Sequence, residues 1–303
     1  MNVHENVDLK PYTTFGVAGI ARWFAEAKNE TDIDEAFKWA RERKESILIL
    51  GGGSNVAFAD GVINKFVLKI TNEIVKGEDN KILCGAGTKL SKLIEVANAH
   101  GLAGVEAMAG IPGTVGGAIV GNASAYGQSI SDNLVRVLVM IDGKKLWMHK
   151  EECEFEYHNS IFERKQAIVV QAEFEFKIGD KSELEKKSAD TIDIRSKKYP
   201  PDMKFPGCFF RNVWAEKVPQ NVLEQIPNLK DYFGKVPAWY FLNEVGAKGM
   251  KLGGLRVTDF HGNLVTNEGN ATFTDVVALA DELKKRVYDK FGVKLEEEVR
   301  FVS

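Results

Sequence analysis

Two patterns in this chain hold groups that could do chemistry: a charged tail, and a pair of turns stripped of side chains. In the tail, LEEEVRF from Leu295 to Phe301, strand periodicity puts Leu295, Glu297, Val299 and Phe301 on one face. Glu296, Glu298 and Arg300 share the other face. Glu298 then lies between a like and an opposite charge, which pull its pKa in opposite directions and suit an acid/base or polarising role. A solvated, charged strand edge would carry the same pattern without any chemistry.

The turns offer main chain instead. ILILGGGSN runs four aliphatic residues into Gly51, Gly52 and Gly53, then Ser54 and Asn55. Successive N–H groups without side chains can form an anion-binding concavity, so a phosphate is the first candidate ligand. The ATP-type pattern GxxxxGK[ST] is absent, and GxGxxG fails after Gly53, where Ser54, Asn55 and Val56 follow. A tight turn needing positive φ is the alternative reading of this loop taken alone. A second loop, GIPGTVGGAIVGNASAYG, has six glycines in the eighteen residues from Gly110 to Gly127, with Pro112 fixing φ early in it. Two such loops suit a long ligand with a pyrophosphate in its middle.

These groups need elements to hold them. Thr31 to Lys44 reads as a helix, with Thr31 and Asp34 resembling a capping box and Ile33, Phe37 and Ala40 on one face. The strand SILIL feeds the first glycine turn, and VINKFVLKI and KILCGAG read as further strands. Lys89 to His100 is a helix with Leu90, Leu93, Ile94 and Ala97 inward. LVRVLVMI, KKLWMH and AIVVQAEFEFKI are strands, followed by a highly charged stretch with a helical middle, ending at Pro200 and Pro201. The last third holds a long helix, Thr274 to Phe291, with Val277, Ala280, Leu283 and Val287 at core spacing and Gly292 closing it. A final strand, KLEEEVRFV, completes an α+β pattern in about three parts.

Composition narrows the partners. With 303 residues, 44% hydrophobic and 27% charged, the chain is long enough for two or three domains. A net charge of −3 announces neither nucleic acid nor a cationic partner. The polar start MNVHENVDLK does not read as a signal peptide, no apolar run is long enough to span a bilayer, and a cytoplasmic location is expected. Three scattered cysteines, Cys84, Cys153 and Cys208, fit a reducing compartment, and no ligand cluster calls for a metal.

LGGGSN followed by AGIPGTVGGAIVGNASAYG resembles the FAD-binding half of the UDP-N-acetylenolpyruvoylglucosamine reductases, which act at the second step of peptidoglycan precursor synthesis. The resemblance continues in order through NVDLKPYTTFGVAG, YHNSIF, GCFFRN, GGLRVTDFHGNLVTNEGNAT and FGVKLEEEVRFV, nearly the whole chain. It implies the two-subdomain FAD-binding fold of the vanillyl-alcohol-oxidase/PCMH type plus a C-terminal α+β substrate domain. The expected division is 1–70 and 71–195 for the FAD subdomains and 196–303 for the UDP-sugar domain. It implies FAD as cofactor and NADPH as hydride donor, with reduction of the enolpyruvyl UDP-sugar to UDP-N-acetylmuramate. Gly51, Gly52, Gly53, Ser54, Asn55, Gly110, Ile111, Pro112, Gly113, Thr114, Gly116, Gly117 and Asn122 are the implied cofactor-binding residues. Tyr157, Asn212, Tyr232, Lys235 and Arg300 are the implied substrate contacts, while Lys248 and His261 fall in matching motifs that a surface lysine and a turn histidine would also satisfy.

The resemblance makes Glu298 the catalytic carboxylate and puts two departures beside it. Where the family has a proton-donating serine, GCFFRN has Cys208; a thiol, with a reference pKa of about 8.5, is the stronger acid, although a buried small hydrophobe is the ordinary fate of a free cysteine. Where the family has Tyr-Arg-x-Ser-x-Phe, with the arginine acting on the substrate carboxylate, this chain has His158. Imidazole offers one or two N–H donors and is cationic only near or below about pH 6.5 unless perturbed. Arg164 and Arg195 are the cations that could compensate. If His158 must be cationic and Cys208 must keep its proton, turnover falls as pH rises through both groups. The departures leave open a catalytically impaired FAD and UDP-sugar binding paralogue, and the FAD fold alone leaves open a flavin oxidase on another substrate.

Overall fold

The computed structural model describes residues 1–165, 167–200, 202–227 and 234–303. The chain divides into two compact units. One comprises Met1–Val7, Ala21–Gly52 and Asn64–Pro201; the other comprises Asp8–Ile20, Gly53–Ile63 and Asp202–Ser303.

The first unit is built on two sheets. In one, of order His4–Asp8, Ile20–Ala27, Val62–Ile70, Ile47–Leu50, the last two strands run parallel with Ile47 opposite Phe66. The aliphatic run Ile47–Leu50 is therefore a strand, and it stops where the glycines begin. Helix Glu30–Arg43 buries Ile33, Ala36 and Ala40, with Phe37 half-buried. Its cap is Asn29, whose side chain accepts the Asp32 N–H, not the expected Thr31; the helix starts earlier, and Thr31 lies inside its first turn.

The second sheet has the order Lys144–His149, Leu134–Ile141, Ile168–Glu175, Lys81–Gly85, Val75–Glu78, antiparallel throughout. Val137 to Met140 and Ile168 to Val170 are buried without interruption, so both faces of these strands are covered there. Helix Leu90–Ala99 buries the four residues expected of it. The charged stretch forms helix Lys181–Lys198, which buries only Leu184, Ser188 and Thr191. Polar contacts also join it to the unit: Ser188 accepts from Asn98, and Lys187 Nζ lies 2.7 Å from Oε1 of buried Glu106, which also accepts from Gln128 and from the Gly104 N–H. Burial alone would raise the Glu106 pKa, but those donors outweigh it and bring the pKa down to about 2.

In the second unit, helix Phe273–Phe291 packs Val276, Leu279, Ala280, Leu283 and Val287 into a core with Phe209, Phe210, Phe241, Leu255 and Val257. Val277, expected inward, is half-buried, and Val276 takes its place. Thr272 caps the helix in a capping box with Asp275, Gly292 closes it at φ +66°, and Asp60 accepts the N–H groups of Phe273 and Thr274. The chain's tail is shorter as a strand than expected. Arg300–Val302 pairs in parallel with Val56–Phe58, while Glu297 makes a single antiparallel bridge with Phe210.

Candidate functional site

In the first unit the two glycine turns lie against each other. A Cβ on Gly52 would stand 2.7 Å from the Gly113 Cα, and one on Gly51 would stand 2.8 Å from Thr114 Oγ1. Contact of main chain with main chain is thus the first reason for these glycines, since a side chain at either turn would part them. Thr114 caps the short helix Val115–Val120 by accepting the Gly117 N–H, and Gly116 passes so close to Ala86 that a Cβ there would meet Ala86 Cβ at 2.8 Å. That helix lies unseen in the glycine-rich sequence; it forms because Val115 and Gly116 donate to the carbonyls of Thr88 and Ala86, fixing its first turn from outside.

What remains outward at Gly52, Gly110 and Gly117 is solvent-exposed and carries no side chain, with Pro112 also exposed and Ile111 and Gly113 half-buried. This open main chain fits the FAD implied by the sequence, because nothing but backbone would meet a ligand at those positions. Arg195 flanks the same turn: a Cβ on Gly110 would lie 3.2 Å from its Cδ.

The histidine motif is tied to this region by two side chains. Asn122, buried and at φ +40°, donates from Nδ2 to the Glu156 carbonyl at 2.8 Å. Ser160, fully buried, donates to the Val120 carbonyl at 2.7 Å. Glu156 and Asn159 bridge each other, so Tyr157 and His158 form the tip of a two-residue turn. His158 takes φ +50°, as at the third position of a type II turn, and is half-buried with its ring 4.2 Å from that of Tyr157. Arg164 is ion-paired with Glu154.

In the second unit, Cys208 and Glu298 lie on two segments joined by main chain. The Glu298 N–H donates to the Phe209 carbonyl at 2.9 Å, and the Arg211 N–H donates to the Glu296 carbonyl at 2.9 Å. Cys208, half-buried, is therefore the residue next to Glu298's main-chain partner. Leu295 and Val299 are buried, as the alternation requires, and Glu297 is ion-paired with Lys284 at 2.6 Å.

Glu298 is half-buried, and burial raises its pKa to about 7, with the Arg211 guanidinium opposing. The sequence pointed to Glu296 and Arg300 as the competing charges; Arg211, from the facing segment, is a further cation that bears on Glu298. Its signal was present in GCFFRN, one residue before Asn212, but strand alternation within a single segment cannot reveal a charge across a bridge.

The remaining predicted residues have varied surroundings. Asn55 donates from Nδ2 to the Glu298 carbonyl, and Gly53 sits at φ +64° against the Tyr12 carbonyl. Asn212 accepts the Ala238 N–H and so serves the start of helix Ala238–Glu244. Lys235 lies 4.3 Å from the Trp214 ring centre, and burial lowers its pKa. Arg300 is half-buried on the tail strand, and Ser54 is half-buried beside Asn55. His261 is a turn residue, its Nδ1 accepting the Asn263 N–H. Tyr232 lies outside the described residues.

Sequence reasoning also passed over Asn263. It accepts the N–H groups of Phe209 and Phe210 through its own carbonyl and Oδ1, donates to the Phe210 carbonyl, and so fixes the segment that follows Cys208. Among the described residues no group of three or more His, Cys, Asp or Glu side chains could hold a metal, and no helix is long and apolar enough to cross a membrane.

The chain matches known proteins along its length. A family described as UDP-N-acetylenolpyruvoylglucosamine reductase, C-terminal domain, matches residues 200–302, and one described as FAD binding domain matches residues 21–147. A UDP-N-acetylenolpyruvoylglucosamine reductase of Solibacter usitatus is 41% identical over 304 residues, covering 99% of this chain and 97% of the relative. One from Anoxybacillus flavithermus is 32% identical, covering 99% and 94%. The crystal structure of a UDP-N-acetylenolpyruvylglucosamine reductase from Thermus caldophilus superposes with a TM-score of 0.79 at 29% identity, covering 100% of both chains.

Proposed function

The chain belongs to the UDP-N-acetylenolpyruvoylglucosamine reductase family, and from that premise we propose that it reduces the enolpyruvyl UDP-sugar to UDP-N-acetylmuramate with NADPH, in peptidoglycan precursor synthesis. It is an FAD-dependent oxidoreductase. The expected parts, 1–70, 71–195 and 196–303, belong to this proposal; the four-stranded sheet falls in the first and the five-stranded sheet in the second.

When bound, FAD would supply the hydride-transfer chemistry between NADPH and the enolpyruvyl double bond. The open main chain at Gly51, Gly52, Gly110 and Gly113 would hold its pyrophosphate, with Gly53, Ser54, Asn55, Ile111, Pro112, Thr114, Gly116, Gly117 and Asn122 as the further residues the motifs assign to it. Glu298 keeps a proton on its carboxyl up to about pH 7, which suits it to donate toward charge developing on the enolpyruvyl group. Cys208 supplies a thiol proton for the adjacent carbon. His158 offers an imidazole N–H to the substrate carboxylate, in place of a guanidinium fork. Tyr157, Asn212, Lys235 and Arg300 complete the substrate contacts in this reading, Lys235 as the cation toward the diphosphate.

The observation that carries the proposal is Glu298: a carboxyl group whose burial keeps it protonated near neutral pH, on a segment hydrogen-bonded beside Cys208. The test is a spectrum and an assay. Purified protein should be yellow and should consume NADPH only when the enolpyruvyl UDP-sugar is supplied. Colourless protein that FAD does not reconstitute would refute the reading. Tight flavin binding without turnover, unrestored by His158→Arg, would assign the chain to a non-catalytic binding role.

A further inference from the structure

We propose that the Asn55 side-chain amide is a positioning group for Glu298, fixing the catalytic carboxylate in addition to the place the motif gives this residue beside the cofactor; this rests on the function proposed above. The motif GGGSN presents Asn55 as the last residue of a cofactor loop. Its side-chain donor reaches the tail. Nδ2 donates to the Glu298 carbonyl at 2.9 Å, and the Asn55 main-chain carbonyl accepts the Arg300 N–H at 3.1 Å. On the other side of the same residue, the Glu298 N–H donates to the Phe209 carbonyl at 2.9 Å. Both peptide groups of Glu298 are therefore held, one by the segment carrying Cys208 and one by Asn55.

One further observation separates this from ordinary strand packing. The tail already has its ladder: Arg300, Phe301 and Val302 pair with Val56, Ala57 and Phe58. The amide of Asn55 adds a bond outside that ladder, at the one carbonyl that belongs to Glu298. Neither alanine nor aspartate can take over: the first has no donor, and an ionised carboxylate would set an oxygen against the Glu298 carbonyl.

The experiment is a double-mutant cycle on the holoenzyme with Asn55→Ala, Glu298→Gln and the pair, measuring flavin content, KM for the enolpyruvyl UDP-sugar, and kcat. A displaced catalytic group costs roughly 10- to 100-fold in rate, so Asn55→Ala should lose that much kcat while retaining its flavin spectrum and a KM within about threefold. In the Glu298→Gln background the same change should cost less than about threefold, because there is no carboxylate left to position. Where Asn55→Ala fails to fold, Asn55→Leu keeps a similar size, removes the donor without adding a charge and carries the same cycle. Loss of flavin with kcat per bound flavin unchanged would make Asn55 a cofactor ligand only and overturn the proposal. Equal losses in both backgrounds would overturn it too, showing that Asn55 does not act through Glu298. A wild-type protein that does not turn over the UDP-sugar at all would instead bring down the functional reading on which this one rests.

Discussion

The glycine turns of the first unit and the Glu298 segment of the second solve different problems. At the turns, Gly51, Gly52 and Gly113 leave out side chains so that two loops can touch and still present backbone outward. Around Glu298 the reverse holds. A carboxyl group is kept, partly withdrawn from water, with Arg211 among the charges that bear on it. The first site depends on space, and Gly51, Gly52 and Gly116 leave no room for even a Cβ. The second depends on dielectric and charge, so it can be tuned by single substitutions without collapsing.

The largest effect should come from space. Gly52→Val would drive a branched side chain into the Gly113 main chain, where even a Cβ comes to 2.7 Å. Separating the turns should cost more than about 3 kcal/mol of cofactor affinity, over 100-fold, because overpacking and the lost concavity act together. Flavin fluorescence titration would check it, and near-native affinity would mean the loop contact is dispensable.

Next comes charge. Arg211 lowers the Glu298 pKa against burial, so Arg211→Met should let that pKa rise further above about 7. The alkaline limb of turnover assigned to Glu298 should then move to higher pH. A limb that stays put would remove Arg211 from the site's electrostatics.

Stability should register the same group, with a definite sign. The Glu298 pKa is raised in the fold from 4.5 to about 7. The native state therefore binds the proton more tightly than the unfolded chain. That contribution is complete below about pH 4.5 and is lost as pH rises through about 7. Glu298→Gln should accordingly gain on wild type in melting temperature between pH 5 and pH 8. A difference independent of pH would show that the carboxyl is not desolvated.

The smallest effect should be Cys208→Ser, which restores the serine the motif resembles. It keeps a hydroxyl donor of similar size, so kcat should change by less than about tenfold, below the roughly 100- to 10,000-fold that acid catalysis by a side chain contributes. A loss of three orders of magnitude would mean the thiol does something an alcohol cannot.

The contrast between the sites also explains what was legible in the sequence. Glycine spacing is local, so both turns could be read, as could the strands Ile47–Leu50 and Leu134–Ile141 and the helix Leu90–Ala99. Alternation likewise placed Leu295 and Val299 inward. It could not supply Arg211, because that residue reaches Glu298 through a bridge between distant segments. Nor could it foresee Asn55, Asn122 and Asn263, whose amides each hold a peptide carbonyl far away in sequence. The long helix shows the same limit on a small scale. Val276 and Val277 both fit an apolar stripe, and only packing decides that Val276 is the buried one.

The central claim is that Glu298 works as a protonated acid in a flavin-dependent reduction of the enolpyruvyl UDP-sugar. Its most direct test is the rate at which pre-reduced enzyme is reoxidised by that substrate, followed by flavin absorbance from pH 5 to pH 9 in wild type and Glu298→Gln. The wild-type rate should fall above about pH 7, and the variant should retain its flavin yet react roughly 100- to 10,000-fold more slowly with no such limb. A Glu298→Gln enzyme that reoxidises at the wild-type rate, with the same pH profile, would contradict the account.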